Sequence, residues 1–276
     1  MLEIPESKTI SLQAGSTLKG KRITEVFNAT SPHKFAWFSG DPERYPAMLR
    51  GRQVLSAKGH GMFVDICLDD NTFITIGDGT NVRYYPAGED PPDKYQLLIV
   101  FDDNSFIAFT VAMYGGIWAY RGDFDNPYHQ RSLKSISPLD SLFDEDYFVK
   151  IIKNTAKDLS AKALLATEQR IPGLGNGVLQ DILFNAGIHP KRKKSTISDL
   201  EVKNLFQSLK STLRRIADMG GRDTEKDLFG INGGYRTILS KNSLGNPCPM
   251  CDGKIIKEAY MGGAVYYCPI CQKLSK

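Results

Sequence analysis

Several features that would place a chain in a specialised class are missing from this 276-residue sequence. No apolar run approaches the roughly 18 residues needed to cross a bilayer, so we predict no transmembrane segment. Nothing near the amino terminus resembles a signal peptide, so a secreted protein held by disulfide bonds is not expected. The sequence also has no internal repeats or low-complexity segments. The few histidines show no ligand or triad spacing, and we assign them no role: His33, His60, His129 and His189.

The net charge of +4 is modest, but it is unevenly placed. Residues 1–133 carry 13 Lys and Arg against 16 Asp and Glu, whereas residues 134–276 carry 22 against 15. A basic carboxy-terminal half indicates a polyanionic partner. The densest basic cluster is residues 191–194, although a run of four charges is by itself more typical of a solvated loop.

Residues 171–177 form a glycine-rich turn that leads into a helix, because apolar side chains recur at helical spacing from Val178 to Ala186. Glycines let the backbone approach another backbone or a ligand without a Cβ atom in the way. Amides at the start of a helix suit a phosphate oxygen. We therefore expect the turn amides to point outward towards a phosphate; an ordinary helix–turn–helix corner is the alternative.

Four of the five cysteines form two Cys-x-x-Cys pairs with sixteen residues between them. Four thiolates at this spacing are typical of a closed, tetrahedral structural zinc site. Two disulfides or an iron–sulfur cluster are the alternatives. Strand-like runs at residues 254–257 and 264–267 predict a β-hairpin that turns at Gly262-Gly263. The fifth cysteine, Cys67, is expected to be a small buried hydrophobe. The predicted zinc ligands are Cys248, Cys251, Cys268 and Cys271.

The fold class predicted by the sequence is α+β. Turn signals separate four β-branched or aromatic runs, and short strands in hairpins predict an antiparallel β-sandwich. Beyond residues 126–138 the apolar spacing becomes helical. The longest predicted helix begins with a capping box from Ser198 to Glu201 and stops at Gly220-Gly221. The four predicted strands are residues 63–68, 72–76, 96–101 and 105–110.

A β-sandwich, helices around Gly-Leu-Gly-Asn and a closing zinc hairpin, in this order, resemble the formamidopyrimidine-DNA glycosylase / endonuclease VIII family. The resemblance implies a β-sandwich domain at 1–130, a helix–two-turn–helix domain at 131–240 and a zinc finger at 241–276. It also implies a monomeric, cytoplasmic, nucleoid-associated protein that binds duplex DNA and receives a flipped damaged nucleotide between its domains. The matching segments are Glu3–Glu6, Gly51-Arg52, Gly173–Pro190, Gly220-Gly221 and Gly245–Cys248.

The resemblance assigns catalytic roles to two carboxylates near the amino terminus. Glu3 corresponds to the general acid/base that protonates the opening sugar, and Glu6 to a residue that organises the site. Family members carry a proline at position 2 whose amine attacks C1′ of the lesion, but here the residue is Leu2. An initiator methionine is removed only ahead of a small residue, so we expect Met1 to be retained and no amine to stand in the proline's place.

Other family positions have also changed. A phosphate-binding lysine is replaced by Met62, and the zinc-finger arginine by Gly263. The intercalating segments correspond to Ile76–Asp78 and Met113–Gly116. Lys58 is a candidate for the lost phosphate contact and Tyr114 for the lost wedge, with a solvated lysine and a buried aromatic as alternatives. The predicted DNA-binding residues are Gly175, Asn176, Lys191, Arg192, Lys58 and Tyr114.

Three hypotheses about function follow. The first is a divergent DNA glycosylase that releases a damaged base through Glu3 and water, with weak or absent lyase activity. The second is a binding protein that recognises damaged DNA without cutting it. The third, binding of structured RNA, has less support because the resemblance is to duplex-DNA proteins. The retained Glu3 and Glu6 favour the enzyme, and the loss of the family's proline, lysine and arginine favours the binding protein.

Overall fold

The computed structural model describes residues 2–274, and the expected retention of Met1 lies outside them. The amino-terminal half is mostly strand and the middle of the chain mostly helix, as the spacing of apolar residues predicts. The helices are α1 (Ile4–Leu18), α2 (Tyr45–Leu49), α3 (Pro127–Lys134), α4 (Glu145–Lys153), α5 (Ala161–Ala166), α6 (Asn176–Asn185) and α7 (Asp199–Asp218). The strands are β1 (Ile23–Asn28), β2 (Ala36–Trp37), β3 (Val54–His60), β4 (Phe63–Leu68), β5 (Thr72–Ile76), β6 (Thr80–Tyr85), β7 (Leu97–Phe101), β8 (Phe106–Val111), β9 (Gly115–Arg121), β10 (Ile256–Tyr260) and β11 (Gly263–Tyr267).

Two packed sheets form the predicted β-sandwich. One has the strand order β1-β7-β8-β6 and the other β2-β9-β5-β4-β3. All neighbours pair antiparallel except β2 and β9, which run parallel over two residue pairs. Alternate apolar side chains of both sheets point inward, so a single core lies between them, with Ile66, Ile99 and Phe109 at 1% exposure or less. The fold class predicted from the sequence is confirmed.

Helix α1 was not predicted from the apolar pattern, and it connects the two halves of the molecule. Its apolar residues are interrupted by Ser, Thr and Gln, and they are divided between two cores. Ile10, Ala14 and Leu18 pack into the sandwich, whereas Ile4 packs among the helices. Pro5 lies in the first turn, where its missing N–H costs no helical hydrogen bond. The amino-terminal carboxylates therefore lie between the two domains.

The helical part packs around α6 and α7. Leu179, Ile182 and Leu183 of α6 are fully buried, as are Leu209 and Leu213 of α7. The predicted capping box is present: the Ser198 side chain accepts from the Glu201 amide, and the Glu201 carboxylate accepts from the Ser198 amide. None of the described helices is long and apolar enough to span a bilayer.

The hairpin β10–β11 forms as predicted, with its turn one residue earlier than the sequence suggested. Met261 and Gly262 occupy the turn with φ of 51° and 73°, and Gly263 is already in β11. A two-residue turn with both φ values positive matches the twist of antiparallel strands. Cys67, expected to be a small buried hydrophobe, is half-buried in β4.

Asp181 of α6 anchors the segment that follows the two glycines at 220–221. Its carboxylate accepts from the Tyr235 hydroxyl at 3.0 Å and from the amides of Ile238 and Leu239 at 2.9 and 2.8 Å. The side chain is 1% exposed, and this burial raises the pKa of Asp181 to about 6, against the opposing effect of these hydrogen bonds.

We predict that Asp181 makes folding stability fall as pH rises from about 4 to about 6. An acid whose pKa is higher in the folded state binds its proton more tightly there, so its contribution is fully present below the unfolded-state pKa and is lost through the folded-state pKa. The free energy of unfolding of the parent relative to Asp181→Asn should decrease by roughly 2–3 kcal/mol between pH 4 and pH 7. Urea denaturation at several pH values measures this difference, and parallel curves for the two proteins would contradict it.

Candidate functional site

The Glu3 carboxylate is buried against the amino-terminal end of α6. Its Oε1 accepts from the Gly177 amide and its Oε2 from the Val178 amide, both at 2.8 Å. The backbone supports this contact, because the Ile4 amide donates to the Gly173 carbonyl at 3.0 Å. A carboxylate at this position also interacts favourably with the helix dipole. The amino terminus is thereby fixed to the helical domain through the glycine turn.

The glycines of the turn make room for this contact. A Cβ atom on Gly175 would lie 2.5 Å from Glu3 Oε1, and one on Gly177 would lie 1.5 Å from an Arg222 nitrogen. The amides of Gly177 and Val178 point inward to Glu3, so the expectation that the turn amides face outward towards a phosphate is wrong for these two. The protein's own carboxylate takes the position that a bound anion was expected to occupy.

Arg222, which the sequence analysis did not identify, forms the centre of this charge cluster. Its Nε donates to Glu6 Oε1 at 2.8 Å, and its backbone amide donates to the same oxygen at 3.2 Å. Its Nη1 lies 3.6 Å from Glu3 Oε1. All three side chains are at most 5% exposed. The one sequence feature that could have pointed to Arg222 is its position directly after Gly220-Gly221, a segment that the family resemblance covers.

Burial and the arginine act on Glu3 in opposite directions. Removing the carboxylate from water raises the pKa of Glu3, and the Arg222 guanidinium opposes this rise. Glu6 adds a like charge that raises it further. The result is a pKa above the ordinary value, which makes Glu3 a better proton carrier near neutral pH than an exposed glutamate.

Glu3 lines an open cleft of about 520 Å³. The cleft lies between α6, the segment at residues 222–241 and the β10–β11 hairpin, so all the expected carboxy-terminal elements contribute to it. Several polar and charged side chains lie among its lining residues, which gives a ligand hydrogen-bonding partners. The lining residues that bear on the chemistry are Glu3, Asn176, Gln180, Arg222 and Tyr266.

Asn176 connects the turn to the hairpin. Its Nδ2 donates to the Ala264 carbonyl at 2.9 Å, and Gln180 donates to the same oxygen at 3.2 Å. A Cβ atom on Gly263, where the family arginine is missing, would lie 3.7 Å from Asn176 Nδ2 and 3.6 Å from Lys162 Nζ. Lys162 therefore places a positive charge beside this position, although its ammonium donates to the Tyr260 carbonyl.

Lys191 and Arg192, predicted to bind DNA, are both paired within the protein and do not line the cleft. Lys191 Nζ lies 2.6 Å from the hairpin residue Glu258, and Arg192 donates twice to Glu201. Arg192 has only 11% of its side chain exposed, so it mainly supports the fold, whereas Lys191 retains 32%.

The segments that correspond to the family's intercalating residues line a second, aromatic pocket of about 390 Å³. Tyr114 is half-buried there, with its ring 5.8 Å from that of Trp37 and its hydroxyl donating to Asp78 at 3.3 Å. Met62, at the lost lysine position, also lines the pocket. Lys58 is exposed on β3.

The four predicted zinc ligands converge at the base of the hairpin. Cys248 and Cys271 have their sulfurs 3.8 Å apart, and Cys251 and Cys268 have theirs 3.5 Å apart. A tetrahedral ion with bonds of about 2.3 Å requires sulfurs about 3.8 Å apart, whereas a disulfide requires about 2.05 Å. The cysteines are free, and their spacing fits a metal ion.

Comparisons with known proteins agree with this architecture. The family model described as the formamidopyrimidine-DNA glycosylase H2TH domain matches residues 135–227. The chain is 27% identical to the formamidopyrimidine-DNA glycosylase of Pelotomaculum thermopropionicum, over 99% of this chain and 100% of the relative. Its fold matches that of MutM (Fpg) from Thermus thermophilus, with a TM-score of 0.82, 21% identity and coverage of 99% and 100%. It also matches Lactococcus lactis Fpg in complex with DNA containing an abasic site, with a TM-score of 0.84, 21% identity and coverage of 98% and 99%.

The structural matches agree with the fold described above over nearly the whole chain. Over nearly its whole length the chain is therefore similar to formamidopyrimidine-DNA glycosylases, and residues 135–227 match the H2TH domain of that family.

Proposed function

We propose that the protein is a DNA-repair protein that binds damaged duplex DNA and releases a damaged base through Glu3 and water, without Schiff-base lyase chemistry. One observation carries this proposal: a buried carboxyl group with a raised pKa lies at the edge of an open cleft, held by two backbone amides and an arginine. Duplex DNA is the proposed partner because the relatives are formamidopyrimidine-DNA glycosylases and a structural neighbour binds abasic-site DNA. The cytoplasmic location implied by the resemblance to bacterial proteins is part of the same proposal.

The geometry leaves Glu3 able to exchange a proton. A carboxylate oxygen has two lone pairs, and the Val178 amide uses one of those on Oε2. The second lone pair of Oε2 can accept a proton from a water molecule that attacks C1′ of the damaged nucleotide. The water oxygen then forms the new bond to C1′, the bond to the base breaks, and the base leaves with the electron pair.

The amine that the family resemblance assigns to position 2 has no equivalent at Leu2. Leu2 is 5% exposed and packs into the core of the sandwich. Arg222, the cation nearest to Glu3, keeps its proton in proteins and has no lone pair for attack on a sugar. Its pKa is raised further by the two carboxylates, despite its burial. Water is therefore the proposed nucleophile.

A damaged-DNA-binding protein without catalysis is the second candidate. It is favoured by the Glu3–Arg222–Glu6 cluster, which resembles a structural ion-pair network as much as a reaction centre. In that function Glu3 would hold the amino terminus on α6, and the cleft would bind an extrahelical nucleotide without cleaving it.

The hairpin cysteines are proposed to bind one structural zinc ion, which would supply folding energy and no chemistry. Replacing Cys268 by Ser should release this zinc and strongly reduce DNA binding, because the hairpin contacts Asn176 and Gln180 through β11. The sandwich should stay folded, since its core is separate from that of the hairpin. Metal analysis and circular dichroism test this; iron with a visible chromophore at these cysteines would overturn the assignment.

Asn176 is predicted to contribute to DNA binding through its side-chain amide. Asn176→Ala should weaken binding by about 1–2 kcal/mol, the range for a hydrogen bond to a charged group, and salt titration should show fewer phosphate contacts. Gln180→Ala is the matched control, because Gln180 also bonds Ala264 but is 3% exposed. Equal losses in both variants would mean that Asn176 acts only by holding the hairpin.

The proposed chemistry predicts base release without strand cleavage. Borohydride should not trap a covalent complex on lesion-bearing DNA, and abasic products should appear as breaks only after hot alkali. Glu3→Gln should abolish base release, because an amide cannot take a proton from water as a carboxylate does. DNA affinity should stay near that of the parent, since the substitution removes no phosphate contact.

The control for this experiment is Glu89→Gln, which removes one negative charge from an exposed loop. It should leave base release unchanged. A borohydride-trapped complex would show that an amine, with Lys58 or Met1 the first candidates, replaces the family proline. Tight binding of damaged duplexes with no base release across a broad panel of lesions would favour the binding protein.

A further inference from the structure

Three residues to which the sequence analysis gave no joint role converge beneath the sandwich. Asp65 Oδ2 lies 3.1 Å from His60 Nε2 and 3.0 Å from His129 Nε2, and the two Nε2 atoms are 3.1 Å apart. His60 ends β3, Asp65 lies in β4 and His129 is in the first turn of α3. His60 and His129 are 69 positions apart in sequence, so only the fold brings them together.

Hydrogen bonds alone cannot account for the triangle of close contacts among Asp65 Oδ2, His60 Nε2 and His129 Nε2. Each of the three contacts needs one proton between its two atoms, but two neutral rings and an ionised carboxylate supply at most two. If both Nε2 atoms carry protons, two N–H groups face each other. If only one does, a ring lone pair faces the carboxylate. Nδ1 of His129 has no hydrogen-bond partner among the described residues, so this ring makes its polar contacts through Nε2.

A metal ion would satisfy all three atoms at once. The corners of a triangle with edges of 3.1 Å lie about 1.8 Å from its centre, so an ion about 1 Å out of the plane would be about 2.0–2.1 Å from each ligand, the usual length of Zn–N and Zn–O bonds. Two imidazoles and one carboxylate form a donor set that suits divalent zinc or iron.

The surroundings resemble the outer layer of a metal site. The Thr75 hydroxyl donates to Asp65 Oδ1 at 2.6 Å and lies 2.9 Å from the Tyr120 hydroxyl, which fixes the carboxylate. The rings of Phe63 and Phe124 pack 5.2 and 5.1 Å from that of His129 and give the polar atoms an apolar shell.

We propose that His60, Asp65 and His129 bind one divalent metal ion of the zinc class, at a site separate from the four cysteines. The ion joins β3 and β4 of the sandwich to α3, which leads into the helical domain. Asp65 and His129 are 7% and 3% exposed, whereas His60 is only half-buried, so the ion enters from the His60 side. Three protein ligands leave at least one coordination position for water.

The test is the zinc stoichiometry of the full-length protein, stripped with a chelator and titrated with Zn²⁺ alone. The parent should bind two ions at micromolar protein concentration. His60→Gln and Asp65→Asn should each bind one, and Cys268→Ser should also bind one. His33→Gln, which changes a half-buried histidine outside the cluster, should still bind two. Because His60 is half-buried, His60→Gln is expected to fold, and its circular dichroism spectrum checks this.

A thermal readout separates the two sites. Added Zn²⁺ should raise the Tm of Cys268→Ser, in which only the histidine site remains, and should no longer do so when Asp65→Asn is combined with it. A parent that binds a single zinc ion, held by the cysteines, would overturn the proposal. Two ions in the parent that persist in both His60→Gln and Asp65→Asn would overturn it as well, since the second ion would then lie elsewhere.

Discussion

The contact between the Glu3 carboxylate and the first turn of α6 is the constraint on which the rest of the cleft depends. It fixes the amino terminus to the helical domain, and it places Glu6 where both carboxylates can pair with Arg222. Removing one partner of a buried ion pair leaves an uncompensated charge and typically costs about 3–5 kcal/mol. Gly175 and Gly177 follow from the same constraint, because a side chain at either position would collide with Glu3 or Arg222. The glycine turn is thus explained by the charge cluster it accommodates.

The other end of α6 extends this dependence to the hairpin. Phe184 packs with Cys248, Ile255 and Tyr266, while Gln180 accepts from the Tyr266 amide at 3.1 Å. One short helix therefore positions the carboxylate at its amino-terminal end and the four-cysteine hairpin along its side. A loss of metal would loosen the cleft without any direct contact to Glu3, which is why the zinc site and the catalytic carboxyl act together in the proposed function.

Features set by local sequence were predictable, and those set by distant pairing were not. The capping box at Ser198 and the strands around the turn at residues 69–71 depend on neighbours within a few positions, and the structure has both. Helix α1 was missed because its apolar residues are divided between two cores. Arg222 pairs with Glu6 across 216 positions, and no spacing rule connects residues so far apart. The predicted outward orientation of the Gly177 and Val178 amides was wrong for the same reason, because the direction of these amides depends on where Glu3 lies.

The substituted family positions and the Glu3–Arg222–Glu6 cluster together indicate where the cleft carries positive charge. Gly263 leaves the hairpin without the family arginine, yet Asn176 and Lys162 stand beside that position. Met62 replaces a cation with an apolar side chain in an aromatic pocket. In this chain a buried cation, Arg222, lies beside Glu3 with its side chain 4% exposed. A guanidinium at this position stabilises the Glu3 carboxylate before the reaction. It also stabilises the negative charge that develops on a departing base, provided that the base lies within its reach. Because Arg222 itself lines the cleft, a nucleotide that reaches Glu3 also reaches this charge.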